Sequence, residues 1–424
     1  MDPRLRYLCI DLKSFYASAE CAARGLDPFA TNLVVADPSR GPGALCLAVS
    51  PAMRALGVPN RCRVRDIPQG MDYIMAPPRM RHYMQVSAQI YAIYLRWFSP
   101  ADVHVYSVDE CFVDVGPSFA RLGADALGMA PRLMDAVLAE TGICATAGVG
   151  TNLFLAKVAL DVLAKHEDSH VGVLDEESYK LRIWPHRPIT DVWGVGAGTA
   201  RRLAALGARC MGEVALMDEA VLRREFGVQG EVLHDHAWGI EPCTMAQIKA
   251  FRPRSHSKGS SQILPRDYAP DEARVVLREM AEASSLGLVE EGLACDGVRL
   301  QVGFSSADAG PGWPSGAGGS CALSPPTSSR AAITAGALGV FDACVGADRL
   351  VRRLSLALAG LVDERDVQPS LLGDLEARER ERCVAEAQVA VRRRFGKNAL
   401  VHGTSLLPCA TGRERNVQVG GHHE

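Results

Sequence analysis

The chain of 424 residues lacks long apolar runs and closely spaced cysteines. Because no apolar run reaches the length of a membrane span, we expect no membrane-spanning helix. The N-terminus leads straight into an apolar strand, so we also expect no signal peptide. The thirteen cysteines are scattered, with no two within four residues of each other. Their spacing argues against zinc knuckles and a disulfide framework, and it favours a reducing, cytoplasmic location.

The chain also lacks an excess of basic residues and any internal repeat. Lys and Arg number 46 against 49 Asp and Glu, a net charge of −3, which counts mildly against a nucleic-acid binder. The charge is nevertheless segregated, with acids concentrated in residues 272–291 and 363–386. A solvated face explains any single basic run equally well. The basic clusters are Arg252, Arg254, His256 and Lys258; Arg352 and Arg353; Arg392, Arg393, Arg394 and Lys397; and Arg413 and Arg415.

The most informative segment that is present is Ser107-Val108-Asp109-Glu110, inside the apolar, β-branched run 103–115. The run predicts a hairpin or two strand edges, and adjacent acids there are costly to bury without a cation. Asp11 stands at the end of another short apolar strand. Three carboxylates on neighbouring strand ends suit Mg²⁺, and two such ions about 4 Å apart drive in-line phosphoryl transfer. The alternative is a solvated acidic pair, with Asp11 as a helix N-cap.

The length and periodicity predict two to four domains of the α+β class. A strand, a helical insertion, a hairpin and two helices over a sheet precede short helices that end near Gly239. Residues 241–256 lack clear periodicity and indicate a linker. Beyond them, strands and helices alternate as a second α+β domain with a Gly/Ser/Pro-rich loop over residues 305–320. A final helix over residues 375–394 precedes an irregular tail.

An aromatic pair follows Asp11, in the segment Asp11-Leu12-Lys13-Ser14-Phe15-Tyr16-Ala17-Ser18-Ala19-Glu20. A ring at the start of a helix beside a metal site is suited to lie under a nucleotide sugar. Phe15 is explained equally well as a core residue of the helix, whereas we expect Tyr16 to be functional.

Together these segments resemble the Y-family translesion DNA polymerases, with Asp-x-x-x-Phe-Tyr-Ala-Ser-x-Glu followed about a hundred residues later by Tyr-Ser-x-Asp-Glu-x-Phe-x-Asp. Residues 50–58 resemble the family's fingers helix, and residues 150–159 with Ala164-Lys165 resemble the helix that ends its palm. Residues 264–268, 413–416 and 420–422 look most like the UmuC-type branch of Gram-positive bacteria. The resemblance covers nearly the whole chain.

The resemblance implies a right-hand polymerase with palm, fingers, helical thumb and a C-terminal α+β little finger. The implied bounds are 1–11 and 77–172 for the palm, 12–76 for the fingers, 173–240 for the thumb, 241–256 for the linker, 257–410 for the little finger and 411–424 for the tail. The thumb would contain a helix-hairpin-helix.

The resemblance also implies the residues of the active site. Asp11, Asp109, Glu110 and the carbonyl of Leu12 would bind two Mg²⁺ ions, with the three acids as catalytic residues. Tyr16 would be the steric gate against ribonucleotides, with Phe15 beside it, and Arg54, Lys165 and Ser50 would contact the triphosphate. Many relatives have Tyr where this chain has Pro51, three residues before Arg54, and Lys157 is an alternative structural lysine.

The resemblance also implies contacts with DNA and with partner proteins, although the motifs behind them are less specific than the acidic motifs. Gly194, Gly196 and Arg201 would bring backbone N–H groups and a cation to a DNA phosphate. The little-finger candidates for DNA backbone contacts are Arg252, Arg254, Lys258, Arg352 and Arg353. The segment with Gln368, Ser370, Leu371 and Leu372 resembles the peptide by which bacterial polymerases bind the sliding clamp, a match that short sequences also produce by chance.

The resemblance therefore predicts a DNA-directed DNA polymerase that copies damaged templates with low fidelity and without proofreading. Its partners would be primer-template DNA, dNTP, the sliding clamp and accessory proteins of the SOS response. Two alternatives stay open: another two-metal phosphoryl-transfer enzyme, and a catalytically silent member of the fold that binds DNA or the clamp.

Overall fold

The computed structural model describes residues 2–253, 256–306, 314–368 and 375–422. Two compact units divide the chain, the first extending to Phe251 and the second covering Arg252–Gly421. Within the described ranges, no helix combines the length and the apolar character that crossing a bilayer requires.

The first unit combines two sheets with a run of short helices. Apart from short 3₁₀ turns, its elements are β1 (Tyr7–Leu12), α1 (Phe15–Ala23), β2 (Leu33–Val35), β3 (Ala48–Val49), α2 (Pro51–Ala55), β4 (Ile74–Ala76), α3 (Met80–Tyr94), β5 (Val103–Val105), β6 (Glu110–Asp114), α4 (Phe119–Leu122), α5 (Ala126–Thr141), β7 (Ala145–Gly150), α6 (Leu153–Val158) with a π-helical continuation (Ala159–Ala164), β8 (Val171–Leu174), α7 (Glu176–Arg182), α8 (Ala197–Ala205), α9 (Met211–Ala215), α10 (Glu219–Phe226), α11 (Val228–Ala237) and α12 (Met245–Ala250).

A five-stranded sheet in the order β5-β6-β1-β7-β8 is the centre of the first unit. Strand β1 pairs antiparallel with β6 and β7, so the segment that carries Asp11 lies in the middle of the sheet. Residues of α3 and α5 pack with Leu8 and Ile10 in the main core, which is why these strand positions are apolar. The buried sheet fixes where β1 and β6 end.

Helix α6 packs very closely on the other face of the sheet. A Cβ at Gly148 would lie 2.0 Å from the carbonyl oxygen of Ala156, and one at Gly150 would lie 2.3 Å from the amide nitrogen of Ala156. Glycine is therefore required on β7, and the close approach brings Lys157 of α6 next to β6.

A small three-stranded sheet, β3-β2-β4, is inserted between β1 and α3. Helix α2 follows β3 directly. Ser50 is its N-cap and Pro51 occupies the first helical position, where a missing N–H costs nothing. This geometry fixes Arg54 on the exposed side of α2.

Part of the predicted linker is regular structure. Residues 245–250 form α12, which begins with a capping box between Thr244 and Gln247. Met245 is buried in a core shared with Tyr7 and Phe112, and Lys249 Nζ donates to the carbonyl of Val103 at 2.6 Å. The helix is too short for periodicity to reveal it, so the sequence did not predict a helix within the linker.

The second unit is a four-stranded antiparallel sheet with helices on one face. Its elements are β9 (Lys258–Tyr268), α13 (Pro270–Glu291), β10 (Leu293–Phe304), β11 (Gly316–Thr327), α14 (Arg330–Cys344), β12 (Val351–Ala359), β13 (Val362–Asp363), α15 (Leu375–Phe395) and α16 (Gly412–Asn416). The main strand order is β11-β10-β12-β9. Apolar residues of α13 and α14 form its core with alternate residues of β9, β10 and β12.

The sequence expectation of a loop over residues 305–320 is partly wrong. Strand β11 begins at Gly316, which pairs with Gly303 of β10. A Cβ at Gly318 would lie 2.5 Å from the carbonyl oxygen of Leu300, so the close strand approach requires glycine. An exposed edge strand rich in glycine and serine lacks the apolar alternation by which strands are recognised.

Candidate active site

The carboxylates predicted to act together lie on adjacent strands. Asp11 of β1 is directly opposite Glu110 of β6, and the amide of Leu12 donates to the carbonyl of Asp109 at 3.0 Å. Directly opposed residues of an antiparallel pair project to the same face of a sheet. Asp11, Asp109 and Glu110 are therefore neighbours at one end of the central strands, each half-buried.

The three carboxylates have different partners. Asp11 accepts no hydrogen bond through its side chain from the described residues. Ser107 Oγ donates to Asp109 Oδ1 at 2.6 Å, which is the supporting role expected for this serine. Glu110 Oε1 lies 2.8 Å from Lys157 Nζ and 3.0 Å from the Cys9 thiol.

Negative charge is in excess around the Asp11 carboxylate. Burial and the charges of Asp109 and Glu110 raise the pKa of Asp11 to about 7, although Lys157 and Lys165 act in the opposite direction. Burial would lower the pKa of Lys157, but its neighbours, including Asp161 at 2.9 Å, outweigh burial and raise it. Lys157 is thus a buried cation held between Glu110 and Asp161, as in the alternative of a structural lysine.

The carboxylate oxygens of these acids suit a divalent cation, although in this structure the three side chains are not arranged around a common centre. Across the described ranges, no three His, Cys, Asp or Glu side chains are arranged as a ready metal cage, because the Glu110 carboxylate faces Lys157. Carboxylate oxygens are the ligands that hard divalent ions prefer. The raised pKa of Asp11 and its carboxylate without hydrogen bonds are what a bound cation would compensate.

Tyr16 is supported by a tyrosine that is hydrogen-bonded to a buried acid, Glu20. Its ring stacks on Tyr83 at a centroid distance of 4.4 Å and an angle of 16°. The Tyr83 hydroxyl donates to Glu20 at 2.8 Å, and the Arg79 guanidinium donates to both oxygens of Glu20 at 2.9 and 2.8 Å. Burial, and then the charge of Asp109, raise the pKa of Tyr16.

Two predicted nucleotide contacts occupy structural positions instead. Phe15 is 3% exposed and lies in the main core. Ser50 is fully buried, and its Oγ accepts hydrogen bonds from the amides of Leu33 at 3.1 Å and Met53 at 3.4 Å. Neither side chain is accessible, so the structure does not support the nucleotide contacts predicted for Phe15 and Ser50.

The two predicted triphosphate cations are accessible. Arg54 and Lys165 are exposed and form no ion pair with the described residues. Lys165 follows the π-helical turn after α6, and its charge acts on the pKa of Asp11. Both cations are therefore available to an anionic ligand.

The predicted hairpin leads into helix α8. Gly194 has a φ of 89°, a conformation that favours glycine, and Gly196 is the N-cap of α8. Both glycines and Arg201 are exposed. The exposed N-terminus of α8 is suited to approach a phosphate.

The basic candidates of the second unit differ in their partners. Lys258 pairs with Glu291, and Arg352 lies 3.7 Å from Asp267. Arg353 is exposed and opposite Gly303 and Ile263 in the sheet. Arg252 is exposed. Arg254 lies outside the described residues, and so do Ser370, Leu371 and Leu372 of the clamp-like segment, of which Gln368 alone is described and exposed.

Sequence reasoning missed the side chains that support the site. Glu20 could have been found, because a carboxylate in a helix of small apolar residues must be paired when buried, and Arg79 and Tyr83 stand four residues apart. The pairing of Lys157 with Glu110 could not be predicted, because no local sequence pattern indicates that α6 approaches β6.

Comparisons with known proteins show the family of the chain. Residues 10–161 match the model of the impB/mucB/samB family, and residues 255–371 match that family's C-terminal domain. The chain is 30% identical over 423 residues to the "Putative UV-damage repair protein UvrX" of Bacillus subtilis, covering 99% of this chain and 98% of the relative. It is 31% identical to the DNA polymerase IV of Pelotomaculum thermopropionicum, covering 97% and 98%.

A solved structure shows the same fold. The structure of a Y-family DNA polymerase chimera superposes with a TM-score of 0.64 at 19% identity, covering 84% of this chain and 99% of the chimera. This likeness confirms the predicted α+β, right-hand polymerase fold class, and membership implies dependence on a divalent metal, DNA and nucleotides. With both family domains matched and the relatives aligned over nearly their full length, the chain belongs to the impB/mucB/samB family, the Y-family DNA polymerases.

Proposed function

We propose that this chain is a DNA-directed DNA polymerase that performs translesion synthesis with two Mg²⁺ ions. The observation that carries the proposal is the opposition of Asp11 and Glu110 on paired strands, with Asp109 beside them. When bound, the ions supply positive charge that lowers the pKa of the primer 3′-hydroxyl and offsets charge on the triphosphate and the leaving pyrophosphate.

The three acids that would hold the ions make different contacts in this structure. Asp11 offers both carboxylate oxygens, and Ser107 orients Asp109 by its hydrogen bond of 2.6 Å. Glu110, which contacts Lys157 at 2.8 Å, would help to hold a cation, and Lys157 would keep its ion pair with Asp161 at 2.9 Å. The carbonyl of Leu12 remains a candidate ligand on the same strand.

Tyr16 would exclude ribonucleotides. Its ring has a fixed backing, because Tyr83 stacks behind it and is hydrogen-bonded to Glu20. A rigid ring beneath C2′ leaves no room for a 2′-hydroxyl, and a clash of this kind discriminates by repulsion.

Arg54 and Lys165 would bind the triphosphate. Both are exposed without an ion pair to a described residue, so binding a phosphate breaks no existing contact. Pro51 replaces a tyrosine that many relatives have, and these two cations would then supply most of the positive charge at the triphosphate.

The domain roles follow from the elements. The five-stranded sheet region would be the palm (1–11 and 77–172), the inserted small sheet the fingers (12–76) and the helical region the thumb (173–240). The second unit would contain the little finger (257–410). The thumb hairpin with Gly194, Gly196 and Arg201, and the exposed Arg353, would contact DNA phosphates without reading sequence.

The sliding clamp, SOS accessory proteins, a cytoplasmic location and the absence of proofreading complete the proposal. Replacing Leu371 and Leu372 with Ala should abolish clamp stimulation while basal synthesis persists. Unaltered stimulation would refute the clamp assignment.

Primer extension on undamaged and abasic templates tests the proposed function. We expect synthesis that requires primer, template, dNTP and Mg²⁺, crosses the lesion, and disappears in Glu110→Ala. Glu140→Ala is the control, because it removes an exposed acid of α5 that forms an ion pair with Arg96 and is not among the proposed metal ligands. Tight primer-template binding without extension by the wild type would contradict the proposal and favour the silent alternative.

A further inference from the structure

A side-chain link joins the acidic turn (residues 107–110) to the hairpin of the helical region (residues 193–196). Trp193 Nε1 donates a hydrogen bond to the Tyr106 hydroxyl at 3.2 Å. The two rings meet edge to face, with centroids 6.3 Å apart and planes at 72°. The residues are 87 positions apart in the chain, so this contact is made only by the tertiary fold.

Each partner directly precedes a functional segment. Tyr106 is followed by Ser107, whose hydroxyl orients Asp109, and the amides of Tyr106 and Ser107 both donate to the carbonyl of Glu110, at 3.0 and 3.1 Å. Trp193 is followed by Gly194, which opens the hairpin that we propose to grip a DNA phosphate. The link therefore joins the backbone that presents the carboxylates to the backbone that would hold the DNA.

Both rings have a fixed backing. Tyr106 packs edge to face on Phe112 of β6, with centroids 5.7 Å apart. Trp193 packs against Phe154 at 6.5 Å and His236 at 6.1 Å, and those two rings stack on each other at 4.0 Å. Since Phe154 and His236 are both buried, a displacement of Trp193 would require the core to move.

The contact contributes little to stability. Tyr106 is 46% exposed, and one hydrogen bond at an exposed site changes a folding equilibrium only roughly two- to tenfold. By contrast, misplacing reacting groups by about 1 Å can cost roughly 100-fold in rate. A rigid contact between two segments that must be aligned is therefore worth more for alignment than for folding.

We propose that Tyr106 and Trp193 are positioning residues that set the primer 3′ terminus relative to Asp109 and Glu110. The proposal rests on the proposed polymerase function. The hairpin fixes the primer backbone, and the link fixes the hairpin to the acidic turn, so that the 3′-hydroxyl and the carboxylates keep one relative placement.

Single hydroxyl and indole replacements test the link. Tyr106→Phe and Trp193→Phe each remove the hydrogen bond and retain a ring. We expect the single-turnover incorporation rate to fall roughly tenfold in each variant, as a partial loss of alignment would give, with the primer-template Kd and the dNTP Kd within twofold of wild type. The double variant should be no slower than the singles, because both changes break one interaction.

Tyr179→Phe is the matched control. The Tyr179 hydroxyl is buried and has no hydrogen-bond partner among the described residues, so its removal should leave the rate unchanged. Wild-type rates in the Tyr106 and Trp193 variants, additive losses in the double variant, or a loss explained by a lower Tm or a weaker DNA Kd would each overturn the proposal.

A readout without catalysis separates this proposal from the polymerase function itself. A primer with 2-aminopurine at its 3′ end reports the stacking of the terminus in the DNA complex. We expect the fluorescence of the Tyr106→Phe and Trp193→Phe complexes to differ from that of the wild-type complex by the same amount. The fluorescence of the Tyr179→Phe complex should equal that of the wild type. Wild-type fluorescence in the Tyr106 and Trp193 variants would overturn the link, whereas failure of the wild type to extend a bound primer would refute the polymerase function.

Discussion

Two carboxylates on neighbouring elements of the first unit, Asp11 of β1 and Glu20 of α1, have opposite environments. Glu20 is fully buried, and although burial acts to raise its pKa, hydrogen bonds from Arg79, Arg24 and Tyr83 lower it. Asp11 is half-buried, accepts no hydrogen bond from the described residues, and has a pKa raised to about 7. A paired acid stabilises the fold, whereas an acid among like charges costs free energy until a cation arrives.

The largest effect that this comparison predicts is on catalysis at the acidic turn. Glu110→Gln removes a proposed metal ligand and a like charge near Asp11, so incorporation should fall by roughly 10²–10³-fold or more. The single-turnover rate at saturating dNTP measures the loss. A rate within tenfold of wild type would mean that Glu110 does not hold the metal.

The opposite effect is expected at the paired acid. Glu20→Gln leaves Arg79 and Arg24 without their carboxylate, so we expect a loss of about 3 kcal/mol in the free energy of unfolding. This is the lower end for such pairs, because the Arg79 and Arg24 side chains are 42% and 33% exposed. Urea denaturation measures the change, and an unchanged midpoint would show that the network does not stabilise α1 and α3.

Tyr16 connects the two environments, since its ring stacks on Tyr83, which donates to Glu20, and the charge of Asp109 helps to raise the pKa of its hydroxyl. Tyr16→Ala should lower discrimination against ribonucleotides roughly 10- to 200-fold, the range for one steric pocket contact, with little loss of dNTP incorporation. The ratio of kcat/KM for dNTP and rNTP measures it. Unchanged sugar selection would contradict the assignment of Tyr16 as the steric gate. The control is Phe29→Ala, which removes an exposed ring on the α1–β2 loop.

The smallest effect is a difference in pH dependence without divalent metal. The folded-state pKa of Asp11 is above its ordinary value of 3.8, so the native state binds more protons and this group costs stability as pH rises from about 4 to 7. Glu20, with a lowered pKa, stabilises the protein above its ordinary pKa and loses that contribution as pH falls. Tm measured in EDTA from pH 4 to 8 should fall less steeply for Asp11→Asn than for the wild type. Parallel curves would contradict the assignment.

The sequence predicted the acids because local pattern carries them. A carboxylate at the end of an apolar strand is recognisable without tertiary knowledge, and Asp11, Asp109 and Glu110 are neighbours in the structure. The helix predicted over residues 375–394 is confirmed as α15, Leu375–Phe395.

The remaining features depend on distant contacts. Strand β11 was missed because its glycines satisfy a close approach to β10 rather than an apolar pattern. Phe15 and Ser50 were predicted as nucleotide contacts, but burial in the core and at the N-terminus of α2 decides their roles. The link between Tyr106 and Trp193 requires the helical region to lie against the acidic turn, which no local pattern encodes.

One paired measurement on Asp11→Asn and Glu20→Gln tests the central claim most directly: the single-turnover incorporation rate with Mg²⁺, and the urea unfolding free energy in EDTA. We predict that Asp11→Asn abolishes incorporation and unfolds no more easily than the wild type. Glu20→Gln should unfold more easily yet retain most of the rate under conditions where it is folded. Wild-type incorporation by Asp11→Asn, or a loss of rate without a loss of stability in Glu20→Gln, would contradict the division between a metal-binding and a structural carboxylate.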